Sequence, residues 1–465
     1  QFHSFGFIFF FIPVAAVGYV AWSRLSGDAG RIWLVISSLA FYCWGEPRAL
    51  PVFIASILFN YWIARGLGPE IAGSGRRLRL ALAANILALV VFKYTGFLSL
   101  NANAVFGTQW SIQAMILPLG ISFFTVQQII MLVDRHQGIV PKPRFIDYAL
   151  FVSWFPYIVA GPITRWKEVV PQFPEKRARL RDENLARGTA LFIFGLSKKV
   201  ILATAFGHLA DTGFANPAAL GFLGAWLATA GFALELYFDF SGYTDMARGA
   251  SLLFNIALPE NFDNPFRSLS ITEFWQRWHI TLTRFITNYM YTPILRARRP
   301  TFTRALWATI AAMTIAGIWH GAAWGYAIFG LWHGVGLAAN TAWRKYGRPM
   351  PGALAWCLTA AFVLVGFAFF RAHTIADALT VVRSMFIPAR LSGETFVRMT
   401  THLEPTRILF ELTGFLLLFY PATASTVALE NPLRLRMAGA LAVCLFVCLL
   451  SMNSVATTGF IYRQF

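Results

Sequence analysis

The sequence predicts an all-α polytopic membrane protein, and three observations predict it. The 465 residues are 57% hydrophobic and only 13% charged, where a soluble protein carries roughly a quarter charged residues. Mean hydropathy is +0.57. Apolar runs of about 20 residues, the length that crosses a bilayer as a helix, recur from end to end. The 45 Phe and 16 Trp suit lipid contact and interfacial belts.

In chain order, the apolar runs predict spans at 4–22, 32–45, 49–66, 79–99, 115–133, 189–207, 221–239, 304–322, 323–342, 354–370, 407–424 and 436–452. That makes about 11–12 transmembrane helices. The first run has no basic segment before it and is expected to be a retained span rather than a signal peptide. Two further stretches are apolar but unsuited to lipid. Residues 147–164 contain Pro156 and Pro162, and residues 265–294 carry Arg267, Glu273, Arg277, His279 and Arg284 among aromatics. Both are expected to be re-entrant or interfacial, since irregular backbone at membrane depth needs protein or water around it. Residues 376–386 are a candidate surface helix. No segment is long and polar enough to form a soluble domain, so the chain reads as one integral membrane domain, 1–465.

The formal charge is +18. In a soluble protein this would suggest nucleic acid; here the Lys and Arg sit in short loops, and the positive-inside rule accounts for them. Basic clusters at 76–79, 165–187, 296–304 and 344–348, with uncharged or Lys/Arg-free loops at 100–114 and 207–220, place the N-terminus outside. The bilayer is therefore the first partner, and no nucleic acid is expected. Cys43, Cys357, Cys444 and Cys448 lie in or beside apolar runs without zinc spacing and read as small packing residues. Glu235 and Asp239 are one helical turn apart, but a metal site is the less favoured reading. Asp239 and Asp245 are expected to bond helix ends, with Arg248 or a cytoplasmic Arg pairing with one of them.

The chemistry concentrates in three histidines. "AGIWHGAAWGYAIFGLWHG" (316–334) holds two Trp-His-Gly copies, thirteen residues apart, with no charged residue between. On one continuous helix, thirteen residues give about 220° of net rotation and about 20 Å of rise. His320 and His333 would then face opposite ways, and only a reversal of the chain would bring them together. An ionisable residue inside a membrane is a functional candidate by default; a neutral imidazole bonded to a neighbouring helix is the alternative for each. The third is His279, in "ITEFWQRWHITLTRF" (271–285). There Glu273 and Arg277 can pair at i, i+4, and Gln276 and His279 would share a helical face. An interfacial helix with an aromatic belt is the alternative reading.

"RWHITLT" followed by the double Trp-His-Gly stretch resembles the membrane-bound O-acyltransferase superfamily. More narrowly it is similar to the bacterial branch that includes the alginate O-acetyltransferase membrane subunit and the membrane protein of teichoic-acid D-alanylation. "FYCWGEPRAL" (41–50), "VFKYTGF" (91–97), "LPLGISFFT" (117–125), "FPYIVAGPITR" (155–165), "YFDFSGYTDMARG" (237–249) and "NFDNPFRSLSITEFWQRWHITLT" (261–283) extend the likeness. It implies a core at about 110–390, C-terminal spans at 407–452, a central tunnel, and the bacterial inner membrane. It further implies His320 as general base and His279 as the second functional position, with His333 secondary. Trp275, Gln276, Arg277, Trp278, Trp319, Tyr243 and Asp239 are the expected donor or acceptor tunnel residues. The branch's Tyr-Ile-Pro-Leu-Gly-Gly run is here "YMYTPILRARR" (289–299), and its "VDVYRG" is "VDRHQG" (133–138).

The implied reaction moves an acyl group, acetyl first, from a cytoplasmic thioester to an outside hydroxyl. A base titrating near neutrality suits a poor hydroxyl nucleophile, and histidine is the natural one. The co-substrate is acyl-CoA (acetyl-CoA) or an acyl-carrier thioester, with no bound cofactor and no metal expected. Lys198, Lys199, Arg277 and Arg284 are candidates for the phosphates of coenzyme A, with membrane anchoring as the alternative for each. Partners expected are a polysaccharide or protein hydroxyl acceptor and an extracytoplasmic acyltransferase or SGNH-hydrolase-like protein. The rival classes are a secondary transporter and a non-catalytic scaffold of a polysaccharide-modification complex.

Overall fold

The computed structural model describes residues 2–110, 116–173, 179–388, 391, 393–401, 404–430 and 435–454. Lys176 and Arg177 of the basic loop, and the first residue of the 115–133 span, lie outside these. The described chain is helical, with no strand among its residues. Helices satisfy their own backbone groups, which hydrocarbon requires. Six are long and apolar enough to cross a membrane among the described residues: Pro47–Arg65, Ser74–Phe106, Asp182–Ala215, Phe302–His320, Gly352–Arg371 and Leu435–Met452. The other expected spans also fall on helices, including Gly27–Gly45, Ile121–His136, Phe222–Leu252, Trp324–Tyr346 and Pro405–Phe419.

Several ends differ from the expected bounds, for local reasons. The span placed at 115–133 starts only at Ile121, because Gly120 takes φ +69 and a Cβ there would lie 2.4 Å from the Ile158 carbonyl oxygen. The span placed at 407–424 stops at Phe419, since Pro421 disfavours helical backbone in the residue before it. The run placed at 221–239 continues unbroken to Leu252. Asp239 and Asp245 therefore sit in mid-helix rather than at helix ends. Asp245 does lie 3.9 Å from Arg248, but the partner of Asp239 is Lys199.

The chain divides into two compact units: Gln1–Phe192 with Tyr243–Pro259, and Ile193–Gly242 with Glu260–Phe465. The boundaries at 192/193 and 242/243 fall inside helices, Asp182–Ser197 and Phe222–Leu252. These two helices approach at glycines. A Cβ on Gly249 would lie 2.6 Å from the Gly188 carbonyl oxygen, and one on Gly242 would lie 2.6 Å from that of Gly195.

In the first unit, the stretch 147–164 begins as the helix Phe145–Ser153 and then leaves helical geometry. It is buried almost throughout, as its re-entrant reading requires. Trp154 donates to Ser251, and the Phe151 carbonyl accepts from Gln127. Arg31 and Asp147 form a buried ion pair at 2.7 Å. Rings of Phe7, Phe11, Phe41 and Phe155 pack with centroids 5.1–6.2 Å apart.

The second unit holds His279, His320 and His333. Its central device is a hairpin of Phe302–His320 and Trp324–Tyr346. A Cβ on Gly330 would meet the Met313 carbonyl oxygen at 2.4 Å, and one on Gly334 would meet Ile310 Cα at 2.9 Å. The partners run in opposite order along the two helices, so the hairpin is antiparallel, with bare backbone at its contact.

Candidate active site

Two helix breaks position the site. The first lies in residues 265–294, which form a series of short pieces rather than one span. Ser270 caps the helix Ile271–Arg277 by accepting from the Glu273 backbone N–H. Arg277 holds Glu273 at 3.0 Å, as the i, i+4 spacing predicts, and Asp263 at 3.2 Å. The helix then stops. His279 adopts φ +43, ψ 53, the left-handed region, before the helix Ile280–Phe285. A non-glycine residue pays about 1–3 kcal/mol for such backbone and keeps it only where the surroundings over-determine it.

The surroundings here are residues 261–263. The Asp263 N–H donates to the Arg277 carbonyl and the Ile280 N–H to the Asn261 carbonyl, each at 2.9 Å. The Asn261 side-chain oxygen accepts from the Thr281 N–H at 3.1 Å and the Thr281 hydroxyl at 2.9 Å, and lies 3.1 Å from His279 Nδ1. His279 is fully buried, edge-on to Phe240 with ring centroids 4.8 Å apart. The break turns His279 away from Gln276, which is exposed. The shared face expected of these two assumed a continuous helix.

The second break follows His320, the last residue of its helix. Gly321 is required by packing: a Cβ there would lie 2.2 Å from the Tyr326 ring. The chain does reverse here, the condition under which the two Trp-His-Gly copies could meet. They come to one aromatic cluster without sharing a reacting atom. Phe329 stands between them, its centroid 6.3 Å from the His320 ring and 4.4 Å from that of His333. Gly334, next to His333, packs at Ile310, ten residues or about 15 Å of helix below His320.

His320 is buried, flanked by Trp319 at 5.1 Å and Phe370 at 5.6 Å. Phe370 is followed in the same cluster by Phe367, 5.5 Å from the Trp278 ring that precedes His279. His333 is spent differently. Its Nδ1 accepts the Trp275 indole N–H at 3.2 Å, so its proton is on Nε2. A Cβ on Gly366 would lie 2.6 Å from that nitrogen, so the N–H faces a packed helix. The lone pair that a base needs is already occupied.

The other expected residues divide. Trp275 and Trp278 are buried beside the histidines, with Trp278 5.1 Å from Phe262. Arg277 is held by its two carboxylates. Asp239 is buried against the equally buried Lys199 ammonium, so that lysine's charge is already compensated. Tyr243 belongs to the first unit, where it stacks on Phe2 at 4.8 Å. Sequence reasoning passed over Phe329 and Asn261. Phe329 lies in the quoted motif four residues before His333; Asn261 opens the quoted "NFDNPF" run, yet nothing local ties it to His279, eighteen residues on.

The family description MBOAT, membrane-bound O-acyltransferase family, matches residues 121–375, a stretch containing all three histidines. The chain is 40% identical over 415 residues to a peptidoglycan O-acetyltransferase of Helicobacter pylori, covering 82% of this chain and 78% of that protein. It is 37% identical over 398 residues to a probable alginate O-acetylase of Pseudomonas aeruginosa, covering 82% and 74%. A teichoic acid D-alanyltransferase of Streptococcus thermophilus is 31% identical over 250 residues, half of this chain and 59% of that one. The protein is a membrane-embedded O-acyltransferase. It belongs to the MBOAT family.

Proposed function

We propose that the protein transfers an acetyl group from a cytoplasmic thioester, acetyl-CoA or an acyl carrier, to a hydroxyl of an envelope polysaccharide outside the bacterial inner membrane. Peptidoglycan and alginate, the polymers in the names of its relatives, are the first acceptors to test. A second, extracytoplasmic protein completes delivery where the acceptor is a polymer. The observation that carries this reading is the presence of two buried imidazoles, His320 and His279, each at the end of a broken helix and both set in one aromatic cluster of the same unit.

The chemistry follows from those two imidazoles. His320 removes the proton of the acceptor hydroxyl as its oxygen attacks the thioester carbonyl. The tetrahedral adduct collapses, the carbon–sulfur bond breaks, and the thiolate recovers the proton from the imidazolium. The alcohol becomes an ester and the thioester a thiol, with no metal or redox partner needed for balance. Trp319, Phe329 and Phe370 surround the His320 ring. His279 orients the acceptor.

His320→Ala is the direct test. The variant should insert and purify normally and lose about 100- to 10,000-fold in transfer, the usual worth of a positioned base. Thiol release from acetyl-CoA by the reconstituted protein, supplied with a peptidoglycan fragment or an alginate oligosaccharide, reads it. Full activity would remove His320 from the chemistry and favour a scaffold role for this site.

A further inference from the structure

Among the described residues, the Nε2 atoms of His279 and His333 both lack a protein partner, and each ring's Nδ1 is held by a group of known polarity, but at His279 that group is an acceptor. That polarity can be derived. The Asn261 side-chain atom facing His279 also faces the Thr281 backbone N–H, which can only donate. The atom is therefore the amide oxygen, an acceptor; reversing the amide would set two N–H groups against each other. An acceptor opposite His279 Nδ1 requires that Nδ1 carry the proton. In the neutral ring Nε2 is then a bare lone pair, buried without a partner among the described residues, on a ring packed by Phe240 and Phe262.

We propose that Asn261 is a positioning residue for acyl transfer: it holds the His279 proton on Nδ1, so that Nε2 accepts a hydrogen bond from the acceptor substrate. The inference rests on the reading of this site given above and adds a direction to it. In this tautomer His279 cannot polarise the thioester carbonyl, since it offers no N–H on that side. It receives a donor instead. The attacking hydroxyl gives its proton to His320, so the donor met by His279 is another group on the acceptor, a neighbouring hydroxyl or an amide N–H. Sugar units carry such groups; a simple alcohol does not.

The left-handed backbone of His279 supports the assignment independently. With φ +43, the residue points its ring back to Asn261, while the Asn261 carbonyl takes the Ile280 N–H. One residue thus braces both the main chain and the ring of His279. His333 provides the contrast inside the same cluster. Its Nδ1 is occupied by the Trp275 N–H, which sets the opposite tautomer and leaves no free lone pair.

Nitrogen-15 NMR of histidine-labelled protein in lipid nanodiscs reads the tautomer directly, with the His279→Gln spectrum identifying the resonances. The wild-type ring should show a protonated Nδ1 and an unprotonated Nε2. Asn261→Ala should lose that fixed tautomer, and Asn261→Asp, which keeps the accepting oxygen, should restore it. With a peptidoglycan fragment as acceptor, Asn261→Ala should raise the acceptor KM by about tenfold and leave the acetyl-CoA KM unchanged, the loss expected when one hydrogen bond to the acceptor is misaligned. Thr281→Val, which removes a different donor to the same oxygen, should keep the tautomer. A wild-type ring protonated on Nε2 overturns the proposal, as does an Asn261→Ala protein with unchanged tautomer and acceptor KM. Should Asn261→Ala fail to fold, the wild-type and Asn261→Asp spectra still decide it. Failure of the acetyl-transfer reading would appear instead as inactivity of the unsubstituted protein, with the tautomer intact.

Discussion

At the scale of the residue, three histidines that look alike in sequence have different partners. Both His320 and His333 sit in Trp-His-Gly, yet only His333 has its Nδ1 taken by an indole N–H. His333→Ala should leave that N–H buried and unpaired, at a cost of about 1–3 kcal/mol. Thermal unfolding in detergent should show the loss, while acyl transfer per folded molecule stays within a few-fold of wild type. A hundredfold loss of transfer with unchanged stability would instead make His333 a chemical residue. The motif alone could not separate the two copies. What separates them is the partner of each ring, and Trp275 reaches His333 from 58 residues away.

At the scale of the element, the hairpin depends on residues with no side chain. Gly330 faces the Met313 carbonyl with no room for a methyl group. Gly330→Val should therefore force the hairpin helices apart and cost about 1–3 kcal/mol or more, as overpacking does. Gly352 begins another helix and a Cβ there would meet nothing within 4 Å. Gly352→Ala should be neutral or stabilise by about 0.4–1 kcal/mol through the unfolded chain. Comparing the two thermal midpoints separates tight packing from a general penalty on losing glycine. The spans themselves were readable from sequence because hydropathy is a local property. Their ends were less so: Gly120 starts a helix through its contact with Ile158, which no local pattern reveals.

At the scale of the whole molecule, the helices Asp182–Ser197 and Phe222–Leu252 run through the unit boundaries at 192/193 and 242/243. Just beyond the first, a turn of wider helix at Lys198–Ala203 carries Lys199 to Asp239. Removing either partner leaves a buried charge, which costs about 3–5 kcal/mol. Lys199→Ala and Asp239→Ala should each reduce the yield of folded protein. The Lys199→Leu/Asp239→Leu double variant should recover much of it, since an apolar pair carries no desolvation cost. A double-variant cycle on unfolding midpoints measures the coupling; strictly additive losses would show that the pair contributes nothing as a pair.

By itself the sequence determined the membrane class, the places of the helices, the two awkward segments and the three histidines. All of these follow from composition, run length and short motifs, which are properties of neighbours along the chain. The tertiary structure alone decided that the two Trp-His-Gly copies meet through Phe329 across a reversal, that Lys199 belongs to Asp239, and that Asn261 braces His279. A buried polar group must find a partner, and which one it finds depends on which helices are brought together.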